Sequence, residues 1–558
     1  MQEIKEWLKN TIKKLYDLDF EAEINPAPEN IDADYSTNAP LKLAKELHKS
    51  PMAIAEEIEA DSKISAKTPE KSVLEVTVSQ PGFINFVLSD DYLVASVNAQ
   101  TEDFENSIKS SQYNGKTVIC EFSDPNPFKV LHVGHLYTSM VGDSIGKLFE
   151  YAGAKVIRAN YGGDVGLHVA KTMYALKKKN FEKLKIDDIA KCYVEGTAAY
   201  EDDESAKQEI TKLNKEIYKI NTEKLHNTQI AELYWKGREL SYDYFENFYN
   251  SIGVKFDKYY PESTVAALGL KTVKEQLKNG VYEMSGAAVI FNGEKYGLHT
   301  RVFINSEGIP TYESKDVGLV LTKWKDYHFD KSIIITGSEQ LEYMKVVYKS
   351  IEQFAPELVE RTTHLVHGLV KLPGNVKMSS RKGNFLKAVD VINMVKDELK
   401  NEYNSTDDKV SFAAIKYAFL KYKMGGNIVF DPKESVKMTG NSGPYLLYSA
   451  VRAKKILDKV TTRESENKEP EKLEASERAL IKKILEYKMV LSEAVSEMAP
   501  HKVANYLYEL AQEFSRFYEN CSVVGSDKEH ERAKLIRTYL DTMTHGLNIL
   551  GIKVPEEM

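Results

Sequence analysis

The stretch from Lys116 to Asn160 does most to limit what this chain can fold into. KTVICEF is a short apolar run that reads as a buried strand, a helix follows from about Gly134 to Glu150, and KVIRAN is a second strand. Leu136, Met140, Ser144 and Leu148 line one face of that helix, and Gly153 stands where a helix end takes a left-handed residue. Strand, helix and strand in so short a span imply a crossover, and so a parallel sheet covered by helices. The αβ pattern returns downstream: GAAVIF and TRVFIN read as strands, DVGLVLTKW as a helix, SIIIT as a strand, EQLEYMKVVYKSIEQF as a helix and THLVHGLV as a strand. A charged, mostly helical insertion lies between about Ala170 and Leu298, and its charge runs read as solvated helical faces.

The flanks have a different character. Leu41, Leu43, Ala44 and Leu47, then Ile54, Ala55 and Ile58, mark two helices. The alternating runs VLEVTVSQ and FINFVLS follow, joined at Pro81-Gly82 as a hairpin. Gln100 to Lys116 is polar and without period, and reads as a linker. Near the C-terminus, Val503, Leu507, Leu510, Phe514 and Phe517 recur at helical spacing, as do Ile536, Leu540, Met543, Leu547 and Leu550, which predicts a helix bundle. The expected fold class is α/β, with a small α+β domain over 1–110, a parallel-sheet domain over 115–390, a connecting segment over 391–432 and an all-α bundle over 433–558.

Composition narrows the function classes. The 558 residues carry a net charge of −8 with 42% hydrophobic residues, as in ordinary globular proteins. No run approaches the length of apolar residues that a membrane helix needs, and MQEIKEWLKNTIKKLYDL lacks the apolar core of a signal peptide. Cys120, Cys192 and Cys521 form no CxxC pair, which fits a reducing compartment and argues against structural zinc. The net acidity neither indicates nor excludes nucleic acid, because binding depends on local basic patches.

Two strings carry chemistry. His132-Val133-Gly134-His135 falls at a strand-to-helix junction, where a glycine lets a ligand approach the backbone and the free N–H groups of the helix attract phosphates. By itself the string is a weak signal, and two structural histidines are the default reading. Its place at the first βα junction of a parallel sheet, where such sheets bind nucleotides, favours a ligand. Lys377-Met378-Ser379-Ser380-Arg381-Lys382-Gly383 is a basic loop with small residues, suited to a polyphosphate whose charge grows as a bond breaks, and also to plain solvation or an RNA contact.

Together the two strings resemble the paired signatures of class I aminoacyl-tRNA synthetases. EFSDPNPFKVLHVGH resembles the arginyl-tRNA synthetase segment that reads approximately EFSSPNxxKPxHxGH. DYSTNAPLKLAKELHKSP and PGFINF resemble that family's N-terminal domain, YESKD its substrate-pocket motif, and GNSGPYLLYSAVRA, NYLYELAQEFSRFYENC and LGIKVPEEM its anticodon-binding domain. The resemblance covers nearly the whole chain. It implies a Rossmann-like catalytic domain, an N-terminal domain that touches tRNA and a C-terminal domain that binds the anticodon.

It also implies an arginine–tRNA ligase that uses ATP with Mg2+, L-arginine and arginine tRNA, without zinc, as a cytoplasmic monomer away from membranes. Glu121 and Asp316 would face the guanidinium, a planar fork of donors best met by carboxylates. Asn126 and Gln340 would hold the amino acid's backbone groups, and Tyr312 would line the pocket. His132, Gly134 and His135 would bind ATP, with Lys129 on its phosphates. Lys377 would lie over the leaving pyrophosphate, beside Met378, Ser379, Ser380 and Lys382.

Three departures stand out. Asp124 occupies a place where the family usually has a small residue such as Ser. Gly163-Asp164-Val165-Gly166-Leu167-His168 replaces the frequent GDWGxQ, and Ser380 stands where other class I enzymes often carry a second Lys. Two other readings compete. A small adenylyltransferase leaves both flanking domains unexplained, and a non-catalytic tRNA-binding relative has no reason to keep both signatures.

Overall fold

The computed structural model describes residues 2–28, 30–65, 73–179, 181, 183–374, 386–461 and 472–558. They fall into two compact units, Met1–Ile108 with Ser449–Met489 and Tyr508–Met543, and Lys109–Tyr448 with Val490–Leu507 and Thr544–Met558.

In the first unit, strands Val73–Ser79 and Phe83–Leu88 pair antiparallel as the hairpin expected from their alternation. The stretch read as a linker is helical in its first half and non-helical over 109–116. Ser89 Oγ accepts from the Tyr92 N–H and caps a helix over Asp90–Glu102, and a short helix follows over Phe104–Ile108. Two acids in the first turn and the buried Leu93, Val97 and Gln100 outweigh the polar composition. From the helix Ala475–Leu485, Arg478 bonds Asp34, Asp90 and the Leu88 carbonyl, so segments from both ends of the chain share this unit. Tyr506, in the second unit, and Phe514 and Phe517, in the first, are buried, whereas Tyr518 is partly exposed under the Arg452 guanidinium, 3.7 Å from its ring centre.

The second unit is built on five parallel strands: β1 (Thr117–Glu121), β2 (Lys155–Gly162), β3 (Lys258–Pro261), β4 (Lys331–Gly337) and β5 (Thr362–His367). Their spatial order is β5-β4-β1-β2-β3. The chain leaves β1 in one direction and returns beside it as β4 in the other. That reversal opens a crevice at the carboxyl ends of these two strands, the place where open α/β sheets take ligands. Helix α1 (Val133–Tyr151) crosses from β1 to β2. It packs tightly: a Cβ on Gly142 would meet the Phe122 ring at 2.1 Å, so only glycine admits the strand this close.

The strands GAAVIF and TRVFIN do not join this sheet. Ser285 pairs with Ala288 across a two-residue turn, which makes an antiparallel hairpin, and Arg301–Ile304 adds to it. The sheet takes β3 instead, from within the stretch read as insertion. The insertion's helices, among them α2 (Ile186–Asp202) and α3 (Gln229–Ile252), have their own core of Val169, Met173, Ile189, Ile210, Ile217 and Tyr234. Phe128, from the loop before the histidines, is part of that core, which anchors the loop. Among the described residues, no helix is long and apolar enough to cross a membrane.

Candidate active site

The loop after β1 is bent by three non-glycine residues with left-handed backbones, Ser123 (φ 72°), Asp124 (φ 49°) and Phe128 (φ 66°). Such conformations cost about 1–3 kcal/mol each and persist where the surroundings hold them. Here Ser123 Oγ bonds the Tyr249 hydroxyl at 2.8 Å, and the Tyr161 N–H donates to Asp124 Oδ1 at 2.8 Å. The Phe128 N–H donates to Ser241 Oγ at 3.0 Å while its ring stacks on Tyr234. The insertion and β2 therefore fix the path of the loop into α1.

His132 is the N-cap of α1. The Gly134 N–H donates to its Nδ1 at 3.0 Å, and the His132 N–H donates to Nδ1 of His135 at 3.1 Å. Both Nδ1 atoms are acceptors, which places the proton of each neutral ring on Nε2. Burial keeps both neutral, helped at His132 by the nearby His367 and Lys129 and at His135 by His132, Lys129 and His367. The His132 pKa is lowered to about 4 and that of His135 falls well below the ordinary value. Two neutral N–H donors thus stand at a helix N-terminus, where the dipole favours an anion.

These histidines border a cavity of about 620 Å3 at the β1/β4 crevice. Its far wall is acidic. Helix α5 (Tyr312–Tyr327) presents Tyr312, Asp316, Leu319 and Val320 along one face, with the buried Lys323 beyond them. Helix α6 (Leu341–Glu352) follows Gln340 and adds Tyr343, Val347 and Tyr348. Glu262, the first residue of α4 (Glu262–Lys278), enters from the end of β3.

Six carboxylates line this space: Glu121, Asp124, Glu262, Glu313 and Asp316, with the exposed Glu339. Lys323 Nζ donates to Glu121 Oε2 at 2.9 Å, Lys315 Nζ to Glu262 at 2.6 Å and Arg301 to Glu313 at 3.3 Å. Asp316 accepts from the Tyr343 hydroxyl, and burial with the repulsion of Glu262 and Glu121 raises its carboxyl to about 7. Burial and the nearby Glu121 push Asp124 well above the usual carboxylate range, and burial likewise raises Glu262. Carboxylates held above their ordinary pKa by burial and by one another's charge form a site that a cation relieves.

The structure brings Glu121, Asn126, Tyr312, Asp316 and Gln340 to one cavity with His132, Gly134 and His135. Asn126 Oδ1 accepts from the Gly163 N–H at 2.7 Å, which turns its amide NH2 into the available donor. Gly163 must stay small: a Cβ there would lie 2.7 Å from Asn126 Oδ1 and 3.0 Å from Glu262 Oε1. Tyr312 is half exposed at the rim, and Gln340 is exposed.

Lys129 lies elsewhere. Its ammonium sits 4.6 Å from the Tyr193 ring of α2, in an adjoining cavity of about 490 Å3 that shares Asn126, His132 and His135 and includes Lys191 and Lys387. Lys377, Met378, Ser379, Ser380 and Lys382 fall outside the described residues.

Sequence reasoning did not single out Glu262, Tyr161, Tyr343, Lys315 or Lys323. A signal for Glu262 existed: it directly follows a strand of the parallel sheet at the start of a helix. In the departed GDVGLH string, Asp164 is buried and bonded to Arg238 at 2.9 Å and to Ser263, which is a bracing role, and His168 Nε2 meets the Gly163 carbonyl at 2.7 Å.

The comparisons with known proteins point to one family. The family described as "tRNA synthetases class I (R), catalytic domain" matches residues 98–431. The chain belongs to the class I arginyl-tRNA synthetases. The arginyl tRNA synthetase N-terminal domain matches residues 2–88, and the DALR anticodon binding domain matches 446–558. The arginine–tRNA ligase of Clostridium beijerinckii is 29% identical over 98% of both chains, and that of Treponema denticola is 30% identical over 85% of both. The arginyl-tRNA synthetase structure from Thermus thermophilus superposes over 100% of both chains with a TM-score of 0.78 at 23% identity. That from Plasmodium falciparum gives 0.80 at 24% identity over 100% of this chain and 99% of the other. Away from the cavity, ligand atoms of Glu474, Glu477 and Cys521 come together, but the Arg532 guanidinium bonds both carboxylates and Lys528 lies 3.9 Å from Glu477.

Proposed function

We propose that the acidic cavity seats arginine and that the histidine-capped end of α1 seats ATP. The chain is an ATP-dependent arginine–tRNA ligase. Arginine's carboxylate attacks the α-phosphate of ATP, forming arginyl-adenylate and releasing pyrophosphate, and the arginyl group then passes to the terminal 2′-OH of arginine tRNA. The observation that carries the pocket assignment is the crowd of six carboxylates, among which Asp124 and Asp316 have no cationic side chain of the described residues at ion-pair distance, against a pair of neutral imidazole donors.

In this reading Asp316 and Glu262 accept the guanidinium, and the Tyr343 hydroxyl orients Asp316. Glu121 borders the same site while holding Lys323. The Asn126 amide donates to the amino acid's carboxylate, and Gln340 closes the rim with Tyr312. The Nε2–H groups of His132 and His135 meet phosphate oxygens as charge builds on them, and Gly134 lets ATP reach the helix backbone. Neutral imidazoles do this without a proton changing hands, so catalysis rests on alignment and charge stabilisation. Lys129 faces the phosphates from the adjoining cavity, and Lys377 with Met378, Ser379, Ser380 and Lys382 supplies the basic loop over the pyrophosphate. Mg2+ bound to ATP would offset phosphate charge. Residues 1–110 and 433–558 hold tRNA, with Tyr518 as an exposed ring for an unpaired anticodon base. The enzyme acts as a cytoplasmic monomer.

The test is arginine-dependent ATP–pyrophosphate exchange, with and without arginine tRNA. Exchange is expected only with tRNA present, as the family resemblance implies. Citrulline, which has the shape without the charge, should be rejected by about 10⁴-fold or more. Ready activation of citrulline would remove the acidic cavity as the arginine site.

A further inference from the structure

The cavity contains more negative charge than its own cations neutralise. Lys323 serves Glu121, Lys315 serves Glu262 and Arg301 serves Glu313. Among the described residues, no cationic side chain lies at ion-pair distance from Asp316 or Asp124. Free arginine carries two positive charges, the guanidinium and the α-ammonium, at opposite ends of one side chain.

Two of the uncompensated carboxylates, Asp124 and Asp316, also sit at opposite ends of one residue. The backbone N–H of Tyr161 donates to Asp124 Oδ1 at 2.8 Å, and its phenol lies beside Asp316 without completing a hydrogen bond. A tyrosine measured from backbone nitrogen to phenol oxygen has about the reach of an extended arginine from ammonium to guanidinium. We propose that Asp124 receives the α-ammonium of arginine while Asp316 receives the guanidinium, so that carboxylates read both charges of the substrate.

This rests on the arginine pocket described above and adds a contact that the family pattern, with a small residue at this position, does not supply. Asp124 is aimed rather than merely nearby. Its left-handed backbone is braced by Ser123 on Tyr249 and by the Tyr161 amide, and with Oδ1 so engaged Oδ2 is the oxygen left for a ligand. Four groups act on it: Glu121 and Asp316 repel its charge, and Lys323 and the Tyr161 N–H favour it. Repulsion and burial win, so an arriving ammonium meets a carboxyl that gains more from it than an exposed one does.

Two ligands separate this role from a structural one: arginine, and 5-guanidinopentanoate, which is arginine without its α-amino group. Asp124→Asn keeps an oxygen for the Tyr161 N–H and removes the charge. It is expected to raise the arginine KM in tRNA charging by about tenfold to a hundredfold, the range of a charged hydrogen bond, with kcat and the ATP KM unchanged. The inhibition constant of 5-guanidinopentanoate should stay at its wild-type value.

Equal weakening of both ligands, an unchanged arginine KM, or a shift in the ATP KM alone would overturn the assignment. Asp316→Asn is the control for the pocket itself and should weaken both ligands. If it weakens neither, the arginine pocket is wrong, whereas if it behaves as expected and Asp124→Asn is silent, only the ammonium contact is wrong. Should Asp124→Asn fail to fold, Asp124→Ser makes the same comparison. Wild-type enzyme that binds 5-guanidinopentanoate as tightly as arginine would sink the proposal without any variant.

Discussion

At one end of the cavity, His132 and His135 come from a single four-residue string, cap one helix and stay neutral. At the other end, Glu121, Asp124, Glu262, Glu313 and Asp316 arrive from three distant segments and crowd their charges together. The histidines need little from the rest of the protein, because backbone amides within three residues set their tautomer and direction. The carboxylates exist as a site only because lysines, an arginine and tyrosines from other elements hold them in place. A local device and a non-local one should therefore fail differently when altered.

The largest expected effect is on stability. Glu121→Gln strands the buried Lys323 ammonium, and breaking such a pair costs about 3–5 kcal/mol. Denaturant unfolding checks this, and adding Lys323→Met should recover much of the loss. An unchanged midpoint for the single variant would mean that Lys323 has another way to shed its charge.

Next comes function. Asp316→Asn should cut kcat/KM for arginine by at least about a hundredfold, near 2.7 kcal/mol, with the ATP KM unchanged. His132→Ala should instead lower kcat and leave the arginine KM in place. If steady-state charging kinetics showed both variants altering the same parameter, the division between the two ends would collapse.

The pH dependence sharpens the contrast at about a tenfold effect. Asp316 must be ionised to pair with a guanidinium, and its carboxyl in the free enzyme is raised to about 7. Below that pH the acid is protonated, so the arginine KM should fall about tenfold between pH 6 and pH 8. The histidines titrate below this range, so kcat at saturating arginine, ATP and tRNA should be flat across it. A kcat that rose through pH 6–7 would point to a titrating imidazole.

The smallest effect concerns Lys129, which neighbours the histidines but depends on the insertion. Tyr193→Ala removes the ring beneath its ammonium, worth about 0.5–1 kcal/mol, and should raise the ATP KM two- to fivefold, as read from ATP titrations of charging. No change would leave Lys129 positioned by the loop alone.

Much of the fold was legible. Apolar strands, an amphipathic helix and the short span between them are local features, and Thr117–Glu121, Val133–Tyr151 and Lys155–Gly162 lie where the pattern predicted them. The helix Asp90–Glu102 was missed because its signal is a cap and a few buried side chains within a polar sequence. GAAVIF was read into the αβ pattern because its composition suits either kind of sheet, and only the two-residue turn formed by its first two residues selects an antiparallel partner.

By itself the sequence determined the histidine cap, since the groups that orient His132 and His135 lie within the same turn of helix. It also determined that Asp316 and Tyr312 share a helical face, because their spacing is one turn. Only the tertiary structure decided which carboxylates keep a charge to offer. Glu121 and Asp316 look alike as acids beside apolar runs, yet Lys323 lies against the first and a tyrosine hydroxyl against the second. That difference depends on how α5 packs over β1 and α6. Through-space electrostatics inside a buried cavity is a sum over neighbours distant in sequence, which no local pattern encodes.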